Sequence, residues 1–549
     1  MLTYVPPTER ETPVIPNQRP WLLLLLCLVW LLPGLVGHDP WKPAELETAA
    51  VVKRFVDEGY WVLPRFADVA YLEFAPLYYW SAAIVAWPLS RLGMDIHDAG
   101  RLVTGLWMAL SLWGIGLAGR ELYGRRQGRV AVMALIGCVG LIIWGHQLAP
   151  QVLLVAAFSW HTYALAHSTR RPLIAGALLG LAWLVLLLGA TWGEFLLALA
   201  SAVLLLVFRP WRRAVYLTAL VTALVISLPL AAVWALWLHQ FSPAAFQAWW
   251  RFDALGPFGG LGSLQLFHSF GFFISTVAWF AWPALPLAAW GVWSNRRQWS
   301  GPAIVLPASM AALMAVWLAC AGEVRDYSLL PLLIPLSLLA TAGIDGLRRG
   351  AAAALNWFGL MTFGVGTLGL WLCWVALHFG VPPRLYAWVN GMNPDHVPSM
   401  AVPGLLFAAV LSVVWWRVIT RKRPLGRLAV TNWACGVTLL WGVLIGLWQP
   451  WLDETKSYRE ASVSLERKMA GEPGSCIDAS TAPDAMVVSL DYFTGLQLRR
   501  VGIDACRWQL RQGPPRDGEK VIWEGGRRGD QRDEMFYLLD KGATRQVLP

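Results

Sequence analysis

The sequence has few charged residues for its length. Lys, Arg, Asp and Glu make up 14% of its 549 residues, whereas soluble globular proteins carry about 25%. Hydrophobic residues make up 57%, and many of them occur in long runs. These features exclude an ordinary soluble domain and indicate that lipid surrounds most of the chain. The 35 Trp agree with this, since indole rings concentrate at membrane interfaces.

Cysteine is also scarce, and its spacing gives no metal-binding motif. Five of the seven Cys lie within apolar runs and are expected to pack as small core residues. The sequence has no CxxC pair and no Cys/His cluster with metal-ligand spacing, so no metal site and no cofactor is predicted, although a divalent metal is left open. Cys476 and Cys506 lie in the polar C-terminal region, where they form either a disulfide, if that region is outside the cytoplasm, or two free thiols.

What the sequence does contain is a series of apolar segments of membrane-spanning length. A helix needs roughly 20 apolar residues to cross the hydrocarbon, with 17 acceptable. The first segment lacks a convincing small-x-small cleavage site and is predicted to be a retained helix, not a signal peptide. About thirteen spans are predicted, near residues 21–37, 102–119, 130–146, 149–166, 172–190, 193–208, 214–238, 270–293, 301–320, 328–345, 355–378, 401–417 and 428–449.

Clustered arginines follow the even-numbered spans. These clusters lie at residues 120–129, 170–171, 209–213, 296–297, 348–349 and 417–427. The positive-inside rule then puts the N-terminus and these loops in the cytoplasm. Because the number of predicted spans is odd, the C-terminal region is predicted to lie on the opposite side of the membrane from the cytoplasm. Because the positive charges are distributed as topology signals, the net charge of +10 does not indicate nucleic-acid binding.

The same alternation decides how residues 38–101 are arranged. The stretch 76–92 is apolar enough for a short span, but counting it would put every later arginine cluster outside. We therefore predict a helix lying at the membrane interface within one long outer loop, residues 38–101. The predicted fold is an all-α polytopic membrane domain of residues 1–449, followed by a small α/β domain of residues 450–549.

Two further outer regions have informative patterns. The C-terminal region contains strand-like runs at residues 485–490 and 520–523, separated by turn residues. The segment 239–269 is rich in glycine and aromatic residues, and it is predicted either to close over a site as a lid or to be an ordered connector.

Two acids of the first outer loop, Asp39 and Glu73, are the first candidates for chemistry. Asp39 follows the first helix, and Glu73 directly precedes the aromatic interfacial helix, so both carboxylates lie near membrane depth. A carboxylate there can act as a general base, and partial burial would raise its pKa toward the working range. The alternative is that Asp39 caps a helix starting near Pro43 and that Glu73 is a solvated loop acid.

The first outer loop resembles that of the lipid A aminoarabinose transferases, which belong to the GT-C membrane glycosyltransferases together with the protein O-mannosyltransferases. The resemblance rests on Asp39 to Glu45, Gly59 to Arg65 and Glu73 to Trp80. The corresponding family patterns are Asp-Glu-x-Arg-Tyr-Ala-Glu, Gly-x-Trp-x-x-Pro-x and Glu-Lys-Pro-Pro-Leu-x-Tyr-Trp. Weaker matches lie at residues 119–126 and 325–332.

The resemblance implies an integral glycosyltransferase of a bacterial inner membrane, with its C-terminal domain in the periplasm. Such enzymes transfer a sugar, with inversion, from a polyprenyl-phosphate donor to a lipid such as lipid A or lipopolysaccharide, or to a protein. By this resemblance Asp39 is the candidate base or orienting acid, and Glu73 a second acid in the cavity. The candidates for binding the donor phosphate or the acceptor are Lys42, Arg65, Tyr79, His146, Arg251, Arg325 and Tyr327. For each cation, the alternative is contact with lipid head groups.

The sequence departs from the family pattern at three positions. Phe74 stands where the family has Lys, no acid is present near Ala149, and Trp192 replaces a second Lys. Glu194 is a candidate to replace the lost acid. The alternative is that Glu194 is only an interfacial acid at a helix end. The departures leave a second hypothesis open, in which the chain keeps the GT-C fold but is catalytically degenerate and has a binding or partner-dependent role.

Overall fold

The structure is a computed structural model that describes residues 21–41, 44–59, 61–394, 396–420, 425–472, 475–500, 506–527 and 534–541. Lys42 lies outside the described residues. The N-terminal part contains helix α1 (Trp21–Leu31), helix α2 (Ala44–Glu58), a short antiparallel pair of strands β1 (Arg65–Phe66) and β2 (Val69–Ala70), and helix α3 (Leu77–Arg91).

Helix α3 occupies the stretch predicted to lie at the membrane interface. One side of it is buried, including Tyr78, Tyr79 and Ala82, whereas Ile84 and Trp87 are exposed. A helix with one buried and one exposed apolar side is the form expected of an interfacial helix next to protein.

Helices make up nearly all of the following part of the chain. In order they are α4 (Ile96–Tyr123), α5 (Gln127–Ile136), α6 (Leu141–Trp144), α7 (Val152–His167), α8 (Pro172–Gly189), α9 (Trp192–Leu204), α10 (Ala214–Phe241), α11 (Pro243–Phe252), α12 (Phe270–Phe280), α13 (Ala284–Ser294), α14 (Pro302–Cys320), α15 (Leu333–Ile344), α16 (Arg349–Phe379), α17 (Pro383–Asn390), α18 (Val402–Ile419) and α19 (Leu425–Lys456). A 3₁₀ turn, Asp326–Leu332, leads directly into α15. Helix α4 begins at Ile96, five residues before the predicted end of the first outer loop at residue 101.

The chain is a multi-span membrane protein. Fewer of its helices are long enough to cross a membrane than the thirteen segments predicted from the sequence. Among the described residues, eight helices are long and apolar enough to cross a membrane, and a ninth results if the pair α12 and α13 counts as one span bent by 87°. Each of the other predicted segments contains a shorter apolar helix of 10–17 residues: α1, α5, α7 and α9 with its 3₁₀ extension to Val207. These are shorter than the roughly 20 residues that a straight span needs. The count of thirteen therefore stays a prediction.

The C-terminal region is a small α/β domain. It contains helix α20 (Arg459–Met469), strand β3 (Cys476–Asp478), helix α21 (Asp484–Phe493) and strands β4 (Gln497–Arg499), β5 (Trp508–Gln512), β6 (Val521–Gly526) and β7 (Met535–Asp540). The sheet order is β4-β3-β5-β7-β6, with β3 parallel to β4 and β5 and with β7 antiparallel to β5 and β6. The predicted disulfide between Cys476 and Cys506 is present, with the two Cα atoms 5.0 Å apart.

One strand prediction in this domain is confirmed and the other is wrong. Residues 521–523 form the start of β6, as predicted. Residues 485–490 lie in helix α21 and not in a strand. Pro483 and Asp484 are favourable at a helix N-terminus. Residues 486–491 are all buried, so their apolar run has no amphipathic period that would distinguish a short helix from a strand.

Contacts between loops show which of them share a side of the helix bundle. Arg170, after α7, pairs with Glu121 near the end of α4 at 2.7 Å, and Arg427, at the start of α19, pairs with Asp345 after α15 at 2.7 Å. Several predicted cytoplasmic ends therefore lie next to one another. The first outer loop instead contacts the C-terminal domain, for example through Arg54 Nε, which donates to Asp491 at 3.3 Å.

Candidate active site

Four loops meet around Glu73. The loop before α3 is tied to the end of α8, because the amide of Ala75 donates to the carbonyl of Ala190 at 3.2 Å. The amide of Trp192 donates to Ala254 at 2.9 Å, which joins the start of α9 to the loop after α11. In that loop, the carbonyl of Pro257 accepts a hydrogen bond from the amide of Glu323 at 2.9 Å. Segments far apart in sequence thus form one site.

The carboxylate of Glu73 has three close partners. Arg325 Nη1 donates to Glu73 Oε1 at 3.0 Å, and the hydroxyl of Tyr327 donates to the same oxygen at 2.8 Å. The hydroxyl of Tyr71 lies 3.1 Å from the other oxygen, Oε2. The structure therefore brings together Glu73, Arg325 and Tyr327, three of the residues selected from the sequence.

Aromatic side chains pack against the group formed by Glu73, Arg325 and Tyr327. The indole of Trp144 donates to Asp326 at 3.1 Å, and its ring packs edge-on against Tyr327 with centroids 5.5 Å apart. The ring of Phe74 packs against Tyr327 from another direction, at 5.8 Å. Phe74, which stands where the resembling family has Lys, therefore helps to position Tyr327 and supplies no charge.

Acids outnumber cations near Glu73. The side chain of Glu47, from α2, contacts the same Tyr71 hydroxyl at 2.7 Å, and burial is the main cause that raises the pKa of Glu47 to about 7. Asp253, after α11, is also affected: burial and the charge of Glu73 raise its pKa to about 6. Glu323 pairs with Arg325 at 2.8 Å. Such a group of acids favours a ligand that carries positive charge.

Glu194 is buried close to this group but serves as a helix cap. Its carboxylate accepts from the amide of Thr191 at 3.2 Å, and the Thr191 hydroxyl accepts from the amide of Gly193 at 3.2 Å. This reciprocal arrangement is a capping box at the start of α9. These contacts agree with the alternative in which Glu194 is an interfacial acid at a helix end. They also occupy the Glu194 carboxylate.

Asp39 lies in a different environment from Glu73. Arg459 Nε donates to both of its carboxylate oxygens at 2.9 Å, and the hydroxyl of Ser457 donates at 2.6 Å. Burial alone raises the pKa of Asp39, but the hydrogen bonds and charge of Arg459 and Ser457 outweigh it and hold the pKa below its ordinary value. The structure therefore pairs Asp39 with the C-terminal domain and gives it no partner in common with Glu73 among the described residues.

Two other candidate residues are engaged elsewhere. Arg65 forms an ion pair with Glu58 at the end of α2. His146 is buried between aromatic rings, and its two ring nitrogens lie 2.6 and 2.7 Å from the carbonyl oxygens of Ile142 and Trp30. Neither side chain is arranged to contact a phosphate at the Glu73 group in this conformation.

The remaining two candidates are less constrained by neighbouring polar groups. Arg251, at the end of α11, is exposed and packs beside the ring of Phe252, with 5.6 Å between the guanidinium carbon and the ring centroid. The hydroxyl of Tyr79 is buried and has no hydrogen-bond partner in the described part of the chain. Burial, together with the charges of Glu73 and Glu47, raises the pKa of Tyr79 well above its ordinary value, so this hydroxyl lies near both acids.

Sequence reasoning missed Glu47 and Tyr71 as members of the site. Tyr71 lies two residues before Glu73, and in an extended chain this spacing puts both side chains on one side, which was a usable signal. Glu47 has no comparable signal, because it lies among mixed residues of α2 and meets Tyr71 only through the fold.

One group elsewhere has metal-ligand chemistry. Asp95, His97 and Asp98, at the start of α4, offer ligand atoms within 4.8 Å of one another, the only such group found among the residues described. The Asp98 carboxylate already accepts from Arg101 Nη1 at 2.8 Å and from the amide of Gly37 at 2.9 Å. This carboxylate is therefore used in holding the first loop.

No family model matches the sequence. Three curated relatives are undecaprenyl phosphate-alpha-4-amino-4-deoxy-L-arabinose arabinosyl transferases. The protein from Pectobacterium carotovorum is 29% identical over 412 residues, which cover 71% of this chain and 70% of the relative. Those from Pectobacterium atrosepticum and Pseudomonas savastanoi are each 27% identical, over 66% and 64% of this chain and 65% of each relative. The chain thus matches about two thirds of the length of these relatives.

Solved structures show the fold over nearly the whole chain. ArnT from Cupriavidus metallidurans, bound to undecaprenyl phosphate, superposes with a TM-score of 0.65 at 15% identity, covering 95% of this chain and 97% of that one. Its apo structure gives a TM-score of 0.66 at 15% identity, with coverage of 96% and 98%. The chain therefore has the fold of ArnT, the GT-C fold, and is similar in sequence to the bacterial aminoarabinose transferases.

Proposed function

We propose that this chain is a glycosyltransferase that moves an amino sugar from a polyprenyl-phosphate donor to an acceptor on the outer face of a bacterial inner membrane. The N-terminus is then cytoplasmic, and the C-terminal domain is periplasmic. The observation that carries the proposal is the group formed by Glu73, Arg325 and Tyr327 where four loops meet. The names of the relatives include 4-amino-4-deoxy-L-arabinose, which makes this sugar the first one to test.

The chemistry that we assign to this group is an inverting displacement. An acceptor oxygen forms a bond to the anomeric carbon while the bond to the phosphate oxygen breaks, and the phosphate leaves with the electron pair. Arg325 is positioned to stabilise the negative charge that develops on the phosphate, because a guanidinium is a strong donor to phosphate oxygens. Glu73 orients the acceptor O–H group and takes its proton.

The charges around Glu73 support an amino sugar as the donor. A protonated amine on the sugar would be attracted by the Glu73 carboxylate and by Asp253, whose raised pKa of about 6 still leaves it mostly ionised at neutral pH, whereas Glu47, with a pKa of about 7, adds a charge only when it has released its proton. A donor without a positive charge gains nothing from these acids. We therefore expect the amino sugar to be preferred over its neutral hydroxyl counterpart.

Asp39 remains a prediction as a base or orienting acid. Its ion pair with Arg459 favours a role in attaching the C-terminal domain to the first outer loop. For this reason we assign the proton transfer to Glu73 and not to Asp39.

The test is transfer of 4-amino-4-deoxy-L-arabinose from its undecaprenyl phosphate to lipid A by the purified full-length protein in nanodiscs, followed by mass spectrometry. We expect Glu73→Gln and Arg325→Gln each to lower the rate by about 100-fold or more, the usual cost of removing an electrostatic stabiliser. Glu472→Gln, an exposed acid of the C-terminal domain, is the control and should leave the rate unchanged. Unchanged transfer in both site variants would refute the assigned roles.

A specific observation supports a second candidate function. Phe74 replaces the Lys of the resembling family and packs against Tyr327, so the group near Glu73 has lost one cation for phosphate. A catalytically degenerate protein that binds a polyprenyl-phosphate lipid is the corresponding candidate. It predicts that the wild-type protein retains undecaprenyl phosphate in nanodiscs but gives no transfer with any donor or acceptor tested.

A further inference from the structure

The hydroxyl of Tyr71 lies between two carboxylates. It is 2.7 Å from Glu47 Oε2 and 3.1 Å from Glu73 Oε2. The first distance is typical of an O–H···O hydrogen bond, and the second is slightly longer than the usual range of about 2.5–3.0 Å. Tyr71 therefore connects an acid of α2 to the acid at the centre of the candidate active site.

The number of hydrogens limits how this contact is satisfied. A phenol has one hydrogen to donate, and an ionised carboxylate has none. When Tyr71 donates to one carboxylate, its other contact becomes a hydrogen bond only if the second carboxyl carries a proton. The three side chains therefore form a complete hydrogen-bonded chain only after they take up one extra proton.

The surroundings make Glu47 the favoured position for that proton. Arg325 donates to Glu73 at 3.0 Å, whereas Glu47 has no described hydrogen bond from a cation, so a proton on Glu47 weakens no contact with a cation. The titratable and charged groups that act on Glu47 are Tyr71, Glu73, Asp484 and Arg325, so two of the four are acids. Asp484 is itself paired with Arg500 at 2.5 Å.

We propose that Glu47 is the terminal proton acceptor for Glu73, linked to it through the Tyr71 hydroxyl. The proposal rests on the transferase function proposed above. As the acceptor oxygen bonds to the anomeric carbon and the phosphate leaves with the electron pair, the acceptor proton moves to Glu73. Glu73 passes a proton to the Tyr71 oxygen, Tyr71 passes its own hydrogen to Glu47, and Glu73 is ionised again. Glu47 acts through other residues and is a positioning residue, not a catalytic one.

The buried hydroxyl of Tyr79 fits the same arrangement. It has no hydrogen-bond partner in the described part of the chain and lies within electrostatic reach of both Glu47 and Glu73. This hydroxyl makes no hydrogen bond to either carboxylate, but its O–H dipole can turn toward whichever of them is ionised. The pKa of Glu47, raised to about 7, lets it accept or release a proton near neutral pH, as a proton acceptor that turns over must.

The first measurement does not depend on activity. Infrared difference spectra of the full-length protein in nanodiscs are recorded as a function of pH, following the carbonyl stretch of a protonated carboxyl group. We expect a band that disappears as the pH rises through about 7, that is absent in Glu47→Gln, and that shifts in Tyr71→Phe. Glu58→Gln, an acid of the same helix that pairs with Arg65, is the matched control and should keep the band. A wild-type protein without this band, or one whose band survives in Glu47→Gln, would overturn the proposal.

The second measurement is the pH profile of sugar transfer. We expect the wild-type rate to rise through about pH 7 and this rise to be lost in Glu47→Gln and Tyr71→Phe, with a rate at pH 8 that is about 10- to 100-fold lower. Glu47→Asp should restore part of the rise. A profile for Glu47→Gln identical to that of the wild type would exclude a relay even if the infrared band is present. If the wild-type protein transfers no sugar, the proposed function fails, and the infrared titration still decides whether Glu47 holds the proton.

Discussion

At the scale of single residues, a buried ion pair between Glu45 and Arg101 holds the start of the first outer loop. Both are fully buried, and Arg101 Nε donates to Glu45 Oε1 at 2.9 Å. Glu45 also accepts from the amides of Leu148 at 2.8 Å and Trp41 at 3.0 Å. Arg101 donates in addition to the carbonyl of Asp39 at 3.0 Å. The pair therefore fixes the start of the loop against α4 and the approach to α7.

Removing one member of this pair should be more damaging than removing both. Arg101→Met leaves the Glu45 carboxylate buried without its cation, which typically costs about 3–5 kcal/mol. The double variant Glu45→Gln/Arg101→Met removes both charges of the pair and should recover part of that loss, while Asp98 loses its contact with Arg101 equally in both variants. Thermal unfolding in detergent, followed by intrinsic tryptophan fluorescence, measures both. A double variant less stable than Arg101→Met would show that the ion pair is not the source of the effect.

The site residues that could be predicted from the sequence are those that lie within a motif. Glu73 was found because it directly precedes the interfacial helix, and Arg325 and Tyr327 because they begin a late helix in the resembling pattern. Asp39 is selected in the same way, but its partner Arg459 lies 420 residues further along the chain, and no local pattern predicts such a pairing. Glu47 was missed for the same physical reason.

At the scale of elements, the start of α9 positions the loop that carries Asp253. The amide of Trp192 donates to Ala254, and a Cβ atom at Gly193 would lie 2.3 Å from the carbonyl oxygen of Leu255. Backbone therefore approaches backbone at a distance that only glycine permits. This close contact brings Asp253 near enough to Glu73 for their charges to interact.

Gly193→Ala should displace this loop and reduce sugar transfer. The new methyl group forces the carbonyl of Leu255 to move, at a cost of about 1–3 kcal/mol for overpacking. We expect a lower melting temperature and a rate of transfer reduced by about tenfold, since small misplacements at a site are costly. Gly271→Ala in α12 is the control, because a Cβ there meets nothing within 4 Å and alanine favours a helix. Equal behaviour of the two variants would contradict a rigid contact at Gly193.

The predicted span at 270–293 illustrates what apolar length leaves undetermined. Its residues do form helix, but α12 and α13 meet at 87° near Pro283. Proline has no amide hydrogen to donate and its ring disfavours helical geometry in the residue before it, so a helix interruption at this position follows from local chemistry. The direction and size of the bend depend on packing against other helices. The length and hydrophobicity of a segment predict that it lies in lipid better than they predict the path by which it crosses the membrane.

At the scale of the whole molecule, the C-terminal domain is fastened to the first outer loop by polar contacts. Arg459 binds Asp39, and Arg54 of α2 binds Asp491 of α21. His97 and Tyr492 lie 2.8 Å apart. The first outer loop carries Glu47 and Glu73, so the domain braces the segment on which the candidate site is built. Charge alternation along the sequence predicted that loop and domain share one side of the membrane, and their direct contact agrees with that.

Arg459→Met should loosen this attachment without unfolding the domain. The pair is partly exposed at Arg459, so we expect a loss of only about 1 kcal/mol. Hydrogen exchange should become faster at residues 38–41 and in α20. Arg507→Met is the matched control, since the partner of Arg507, Asp540, lies 2.9 Å away within the same domain. Exchange at residues 38–41 that is equal in the two variants would contradict a docking role for Arg459.

The pH dependence of the attachment follows from the sign of the Asp39 shift. Arg459 and Ser457 hold the pKa of Asp39 below its ordinary value of 3.8, against the opposing effect of burial. A lowered pKa means that the folded state favours the ionised carboxylate, so its contribution is fully present above about pH 4 and is lost as the pH falls through the lowered value. Hydrogen exchange at residues 38–41, corrected for intrinsic rates, should therefore differ between wild type and Arg459→Met by a constant factor from pH 5 to 8. A difference that disappears on approaching pH 5 would mean that another group controls the attachment.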